Sequence, residues 1–141
     1  MILPDVNVLI YAFRSDADDH AHYKEWLEAV IDGPAAFGVS PQVMAAVLRI
    51  CTHRRIFVRP SSLNQTFDFC RAVLEHPNAT VLCPGERHWG IFENLCHTTK
   101  ATGNLLQDAW FAALAIESGC EWITTDRDYA RFEALRWRTP F

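Results

Sequence analysis

Apolar residues along this chain recur at two different spacings, and the changes between them outline an alternation of strands and helices. Ile2 to Ile10 is a short apolar run broken by Pro4, Asp5 and Asn7, which suits a buried strand whose end turns into a helix or loop. His22 to Ile31 sets Trp26, Leu27 and Val30 on one helical side before Asp32, Gly33 and Pro34 punctuate the chain. Ala36 to Val39 reads as a second short strand. Ser40 and Pro41 then supply a capping hydroxyl and a proline at the first helical position. Val43, Met44, Val47, Leu48 and Ile50 follow at mostly helical spacing. A helix from Ser61 or Ser62 to Leu74, a strand from Thr80 to Cys83 and a helix from about Arg87 to Thr98 come next. Asn104 to Gly119 is the clearest helix, rich in Ala and Leu, with Gly119 where a left-handed C-cap belongs. Glu121 to Thr125 forms a strand that stops at Asp126, and Arg131 to Phe141 reads as a short helix or turn with an extended end.

Strands separated by helices require right-handed crossovers, which predicts an α/β fold with a mostly parallel sheet covered on both faces. In such sheets the functional crevice lies beyond the carboxyl ends of the strands. Asp5 and Asp126 both fall where a short strand stops. A length of 141 residues fits one domain, residues 1–141, without repeats or linkers.

Half of the residues are apolar, with five Trp and nine Phe, so a substantial core is expected. The formal net charge of -4 argues against a scaffold that holds nucleic acid by broad phosphate neutralisation. It does not argue against an acidic site that works with divalent cations. The five cysteines are odd in number, scattered and without a Cys-x-x-Cys pair, which fits reduced, mostly buried thiols. No basic segment precedes the first apolar run and no apolar stretch reaches membrane-spanning length, so a cytoplasmic location without membrane association is expected.

The chemistry concentrates in four aspartates. Asp5 interrupts a buried strand, where a carboxylate is expensive unless it is paired, hydrogen-bonded or metal-bound. It could equally cap the next helix, and Asn7 could hold the turn or the carboxylate. Asp108 lies one turn after Asn104, near Ala112 and Ala115; an exposed carboxylate favoured by the helix dipole is the plain alternative. Asp126 and Asp128 follow a strand in Thr-Thr-Asp-Arg-Asp-Tyr, where an Asx turn or a cap is the plain alternative. Crossover topology should bring them together as hard oxygen ligands for Mg²⁺ or Mn²⁺, an arrangement suited to phosphodiester hydrolysis. Thr124 or Thr125 is placed to assist phosphate or metal binding, and neither resembles an activated triad nucleophile.

Other groups carry less. His20 and His22 with Asp16, Asp18 and Asp19 read as a solvated loop. Arg49, His53, Arg54, Arg55 and Arg59 form the one concentrated basic segment: ordinary surface, or a grip on RNA phosphates through Arg49, Arg54 and Arg55. Trp89, Phe92, Trp110, Phe111, Trp122, Phe132 and Trp137 read as packing residues, with an interface role as the alternative. Absence of a Gly-x-Gly-x-x-Gly loop, a Gly-Lys-Ser/Thr motif and a nucleophile elbow disfavours nicotinamide, nucleoside triphosphate and serine-hydrolase chemistry.

Asp5-Val-Asn-Val-Leu-Ile-Tyr-Ala, Ser40 through Arg49, Asn104 through Gly119, and Thr124-Thr-Asp-Arg-Asp-Tyr together resemble the PIN-domain family, more narrowly its VapC toxins. The resemblance spans almost the whole chain. It implies a PIN-like three-layer fold and a metal-dependent endoribonuclease that blocks translation by cutting structured RNA, commonly transfer or ribosomal RNA. It also implies a homodimer and neutralisation by a small VapB-like antitoxin. The family's acidic positions map to Asp5, Asp108 and Asp126 with Asp128 nearby, and Asn104 and Thr124 look like supporting positions. One departure stands out: where the family often carries a glutamate, in the helix after the second strand, this chain has Ala45 or Ala46.

Two other readings compete. A haloacid-dehalogenase-like phosphatase would need Asp-x-Asp at the first strand, where the sequence has Asp5-Val-Asn7. A catalytically weakened RNA- or protein-binding module is made credible by Ala46.

Overall fold

The computed structural model describes all of residues 1–141. The first apolar run is divided at Asp5. β1 covers Ile2–Pro4 and α1 covers Val6–Phe13. Pro4 closes the strand, and the Asp5 carboxylate accepts a hydrogen bond from the Val6 amide at 2.6 Å, satisfying one free donor of the helix. Thereafter the elements are α2 (His20–Ile31), β2 (Phe37–Val39), α3 (Pro41–Cys51), α4 (Leu63–Leu74), β3 (Ala79–Val81), α5 (His88–Thr99), α6 (Asn104–Ser118), β4 (Glu121–Ile123) and β5 (Trp137–Arg138). A 3₁₀ turn, Arg127–Arg131, lies between the last two strands.

The caps act where the sequence placed them. The Ser40 hydroxyl accepts from the Gln42 amide at 3.2 Å and the Ser62 hydroxyl from the Gln65 amide at 3.1 Å. Gly119 takes a φ of +69° at the end of α6, a conformation that favours glycine.

Every strand pair is parallel. β1 pairs with β4 in the register Ile2↔Glu121, Leu3↔Trp122 and Pro4↔Ile123, and β5 adds beyond β4. β2 pairs separately with β3. These two hydrogen-bonded units meet along β1 and β2, where a Cβ on Gly38 would lie 3.2 Å from the Ile2 carbonyl oxygen and 2.7 Å from Leu82 Cδ1. The close approach is the reason for glycine at that seam. Helices flank this central sheet in the three-layer arrangement expected of a PIN-like fold.

One cluster of buried side chains extends from Leu3 to Leu135. Small residues of α6, Ala109, Ala112, Ala113 and Ala115, are fully buried and let that helix pack closely. Trp122 on β4 is fully buried between Phe111 and Tyr129, with ring centroids 5.8 and 5.5 Å away. No helix is long and apolar enough to cross a membrane.

Candidate active site

The carboxyl ends of β1 and β4 lie side by side because the two strands pair in parallel, and this brings residue 5 beside residue 124. Thr124, fully buried, donates its hydroxyl to Asp5 Oδ2 at 2.5 Å. The Thr124 hydroxyl oxygen itself accepts from the Asp126 amide at 3.0 Å and from Asn7 Nδ2 at 3.4 Å. Asp126 in turn caps the 3₁₀ turn, its Oδ1 accepting from the Asp128 amide at 2.8 Å. Thr124 thus ties three of the singled-out residues, Asp5, Asn7 and Asp126, into one polar knot.

A cleft of about 780 Å³ opens over this knot. Asp5, Asn7, Asp108, Asp126 and Tyr129 line its acidic end, and α3 contributes Gln42, Ala45, Ala46 and Arg49 to the wall. Those four follow from helical spacing, since residues 42, 45, 46 and 49 share one stripe. Ala46, at the site of the departure noted above, therefore faces the cleft without a carboxylate.

Electrostatics at the acidic end are unfavourable as they stand. Burial pushes the Asp5 carboxyl up to about 7, aided by the charges of Asp108 and Asp126 and opposed by the Thr124 and Val6 hydrogen bonds. Burial, then Asp126 and Asp128, push Asp108 up to about 6. The Tyr129 hydroxyl is shifted up, first by its burial and then by the same carboxylates. No Lys or Arg forms an ion pair with Asp5, Asp108 or Asp126. Asn7 Oδ1 is buried without a hydrogen-bond donor.

No group of three or more His, Cys, Asp or Glu side chains stands ready to enclose a metal ion. The fit to a hard divalent cation is instead one of charge and donor type. Uncompensated carboxylates converge with a spare amide oxygen nearby, and all are oxygen donors.

Most of the other predicted residues lie outside the cleft lining. Asp128 is exposed and pairs with Arg131 at 3.9 Å, acting on Asp108 only through its charge. Asn104 is exposed at the first position of α6. Arg49 lines the cleft, whereas Arg54 and Arg55 are exposed on the loop after α3. Of the polar segment around the start of α2, Asp16 binds Arg14 at 2.6 Å and His22, in the first turn of the helix, stacks on Phe141 with centroids 3.6 Å apart.

Sequence reasoning did not single out Tyr129, Gln42 or Arg14. Tyr129 follows the acidic pair and is buried against Trp122, so its type alone resembled core. Gln42 accepts from Trp110 Nε1 at 2.6 Å, and both line the cleft. The helical stripe running back from Arg49 was the signal that could have found Gln42.

A family model described as the PIN domain matches residues 2–135, and the chain belongs to the PIN-domain family. Within it, the chain is similar to VapC ribonucleases. It is 41% identical over 140 residues to ribonuclease VapC43 of Mycobacterium tuberculosis, covering 99% of this chain and 95% of that protein. Ribonuclease VapC25 of the same organism is 38% identical, with 99% of each chain covered. Among solved structures, VapBC2 from Rickettsia felis bound to a DNA fragment from its promoter superposes with a TM-score of 0.71 at 16% identity. The match covers 99% of this chain and 98% of that one. VapBC-1 from nontypeable Haemophilus influenzae gives 0.69 at 21% identity with the same coverage. At those identities the likeness is one of fold.

Proposed function

We propose that this chain is a metal-dependent endoribonuclease toxin that hydrolyses phosphodiester bonds in structured RNA, transfer or ribosomal, and is neutralised by a VapB-like antitoxin. The observation that carries the reading is the convergence of Asp5, Asp108 and Asp126 at one end of a cleft with no cationic partner. Ribonuclease names on relatives of 37–41% identity, and VapB–VapC complexes among the structural neighbours, support it. A homodimer is part of the same reading.

Asp5, Asp108 and Asp126 would hold Mg²⁺ or Mn²⁺, with Asp128 adding negative charge from outside. When bound, the ion supplies the positive charge that draws a phosphodiester into an acidic cleft and polarises water for in-line attack. Thr124 fixes one oxygen of Asp5 and leaves the other to the Val6 amide, so the carboxylate plane is set by the fold. Tyr129 is positioned to steady Asp108. Arg49 is the cationic side chain lining the cleft, suited to a flanking phosphate, and exposed Arg54 and Arg55 extend that grip.

Ala46 favours a second reading, a weakened PIN module that binds RNA or protein without cutting. The test follows end-labelled transfer and ribosomal RNA with antitoxin-free protein in Mg²⁺ or Mn²⁺, beside a chelated sample and Asp5→Asn. Discrete internal cuts lost in both controls support the nuclease; intact RNA with folded protein supports the binding module.

A further inference from the structure

The loop joining α3 to α4 carries the basic segment, and its second half is held by side chains rather than by its own backbone. At its base the Ser61 amide donates to the Cys51 carbonyl at 2.8 Å, and the Ile56 and Phe57 amides both donate to the His53 carbonyl at 3.1 Å. The Val58 and Arg59 amides make no backbone hydrogen bond. That gap is spanned by Arg14, a 6% exposed arginine at the carboxyl end of α1. Its guanidinium donates to the Arg59 carbonyl at 3.0 Å and to the Ser61 hydroxyl at 2.9 Å. It also lies 3.6 Å from the centroid of the Phe57 ring. Asp16 holds the opposite edge of the fork through two hydrogen bonds of 2.9 and 2.6 Å, so the donors aimed at the loop are fixed in direction.

Two consequences follow from where α1 begins and ends. Phe57 lines the cleft, so the side chain Arg14 presses on is a wall of the candidate site. Asp5 caps the other end of the same eight-residue helix. At about 1.5 Å per residue, α1 holds the acidic centre and the loop anchor on the order of 13 Å apart.

We propose that Arg14 is a positioning residue that locks the loop bearing Arg54, Arg55 and Phe57 at a set distance from the acidic centre, so that the loop grips RNA away from the scissile bond. This rests on the ribonuclease reading above for its substrate. A lysine cannot replace the fork, because one ammonium does not reach the carboxylate, hydroxyl and carbonyl in plane while covering an aromatic ring.

The test has two arms. Limited trypsin digestion of the folded protein reads the lock directly, since Arg54 and Arg55 are exposed on the loop while Arg59 is protected by the proline after it. Arg14→Met should raise the rate of cutting after Arg54 and Arg55 by about tenfold or more. Arg14→Lys and Phe57→Leu, which preserve more of the surroundings, should raise it by less. Unchanged cutting in every variant that folds overturns the proposal.

The second arm uses the RNA found to be cut. Arg14→Met should raise KM about tenfold with kcat within about twofold on a long substrate, and leave KM unchanged on a fragment trimmed to two nucleotides either side of the cut. Equal losses on long and trimmed RNA indicate general disturbance of the site and overturn it. If no RNA is cut, the ribonuclease reading fails separately. Anisotropy of labelled bulk transfer RNA then decides the matter: weaker binding by Arg14→Met supports a positioned RNA grip, and equal binding overturns it.

Discussion

Replacing Asp5 with asparagine should make the metal-free protein more stable while abolishing cleavage. A carboxyl moved from an ordinary 3.8 to about 7 by burial corresponds to about 4 kcal/mol of lost folding free energy above pH 7. The sign follows from proton uptake. Between about pH 4 and 7 the folded chain keeps the Asp5 proton that the unfolded chain releases, so stability falls as pH rises through that window and is level above it. Asparagine caps a helix as well as aspartate does. It offers one acceptor oxygen where the carboxylate used two, for the Val6 amide and the Thr124 hydroxyl, which returns about 1–2 kcal/mol. The net gain at pH 8 is about 2–3 kcal/mol, or roughly 5–10 °C in melting temperature for a chain of this size. Thermal melts in chelator at pH 8 and pH 5 provide the assay, with the advantage disappearing at the lower pH. A variant no more stable than the parent at pH 8, or a gap that does not change with pH, refutes the argument that Asp5 is held ionised against its environment.

Four further outcomes are expected. Divalent cations should bind more tightly as pH rises from about 5.5 to 7.5 and then level off, because Asp5 and Asp108 titrate near 7 and 6 and must lose their protons; calorimetry at pH 6 in two buffers of different ionisation enthalpy should detect proton release. Thr124→Val should destabilise the fold by about 1–3 kcal/mol at pH 8 and less at pH 5, since the buried hydroxyl supports an ionised Asp5; denaturant melts at both pH values check this. Gly38→Ala should destabilise by about 1–3 kcal/mol in the same melts, because the added methyl meets the Ile2 carbonyl and Leu82 across the seam. Asp108→Asn should lower the rate of RNA cleavage by about 100-fold or more if it holds the ion, measured on the substrate found above.

The order of strands and helices was legible because the boundaries carry their own chemistry: Pro4 and Asp5, Ser40 and Pro41, Ser62, and Gly119 each end or begin an element where the sequence pattern suggested. Strand lengths were less legible. The run from Ile2 to Ile10 is apolar on both sides of Pro4 and Asp5, but buried helix and buried strand look alike over a few residues, and the helix begins at Val6. Parallel pairing of β1 with β4 sets Asp5 and Asp126 at neighbouring strand ends, and Asp108 on α6 lines the same cleft. Asp128 did not follow, because the turn capped by Asp126 leaves its side chain exposed and pairs it with Arg131. Arg14 was illegible for another reason. It stands at the edge of a polar segment, and its burial depends on a loop more than 40 positions away, a relation that no local pattern records.

The pairing of β1 with β4 also bears on how such a chain can be synthesised safely. Asp5 leaves the ribosome 119 residues before Thr124, which together with Asp126 completes its surroundings. A nascent chain that has reached Ser118 has all six helices in sequence but no partner strand for β1 and no hydroxyl for Asp5. The acidic centre is therefore absent from chains truncated before β4.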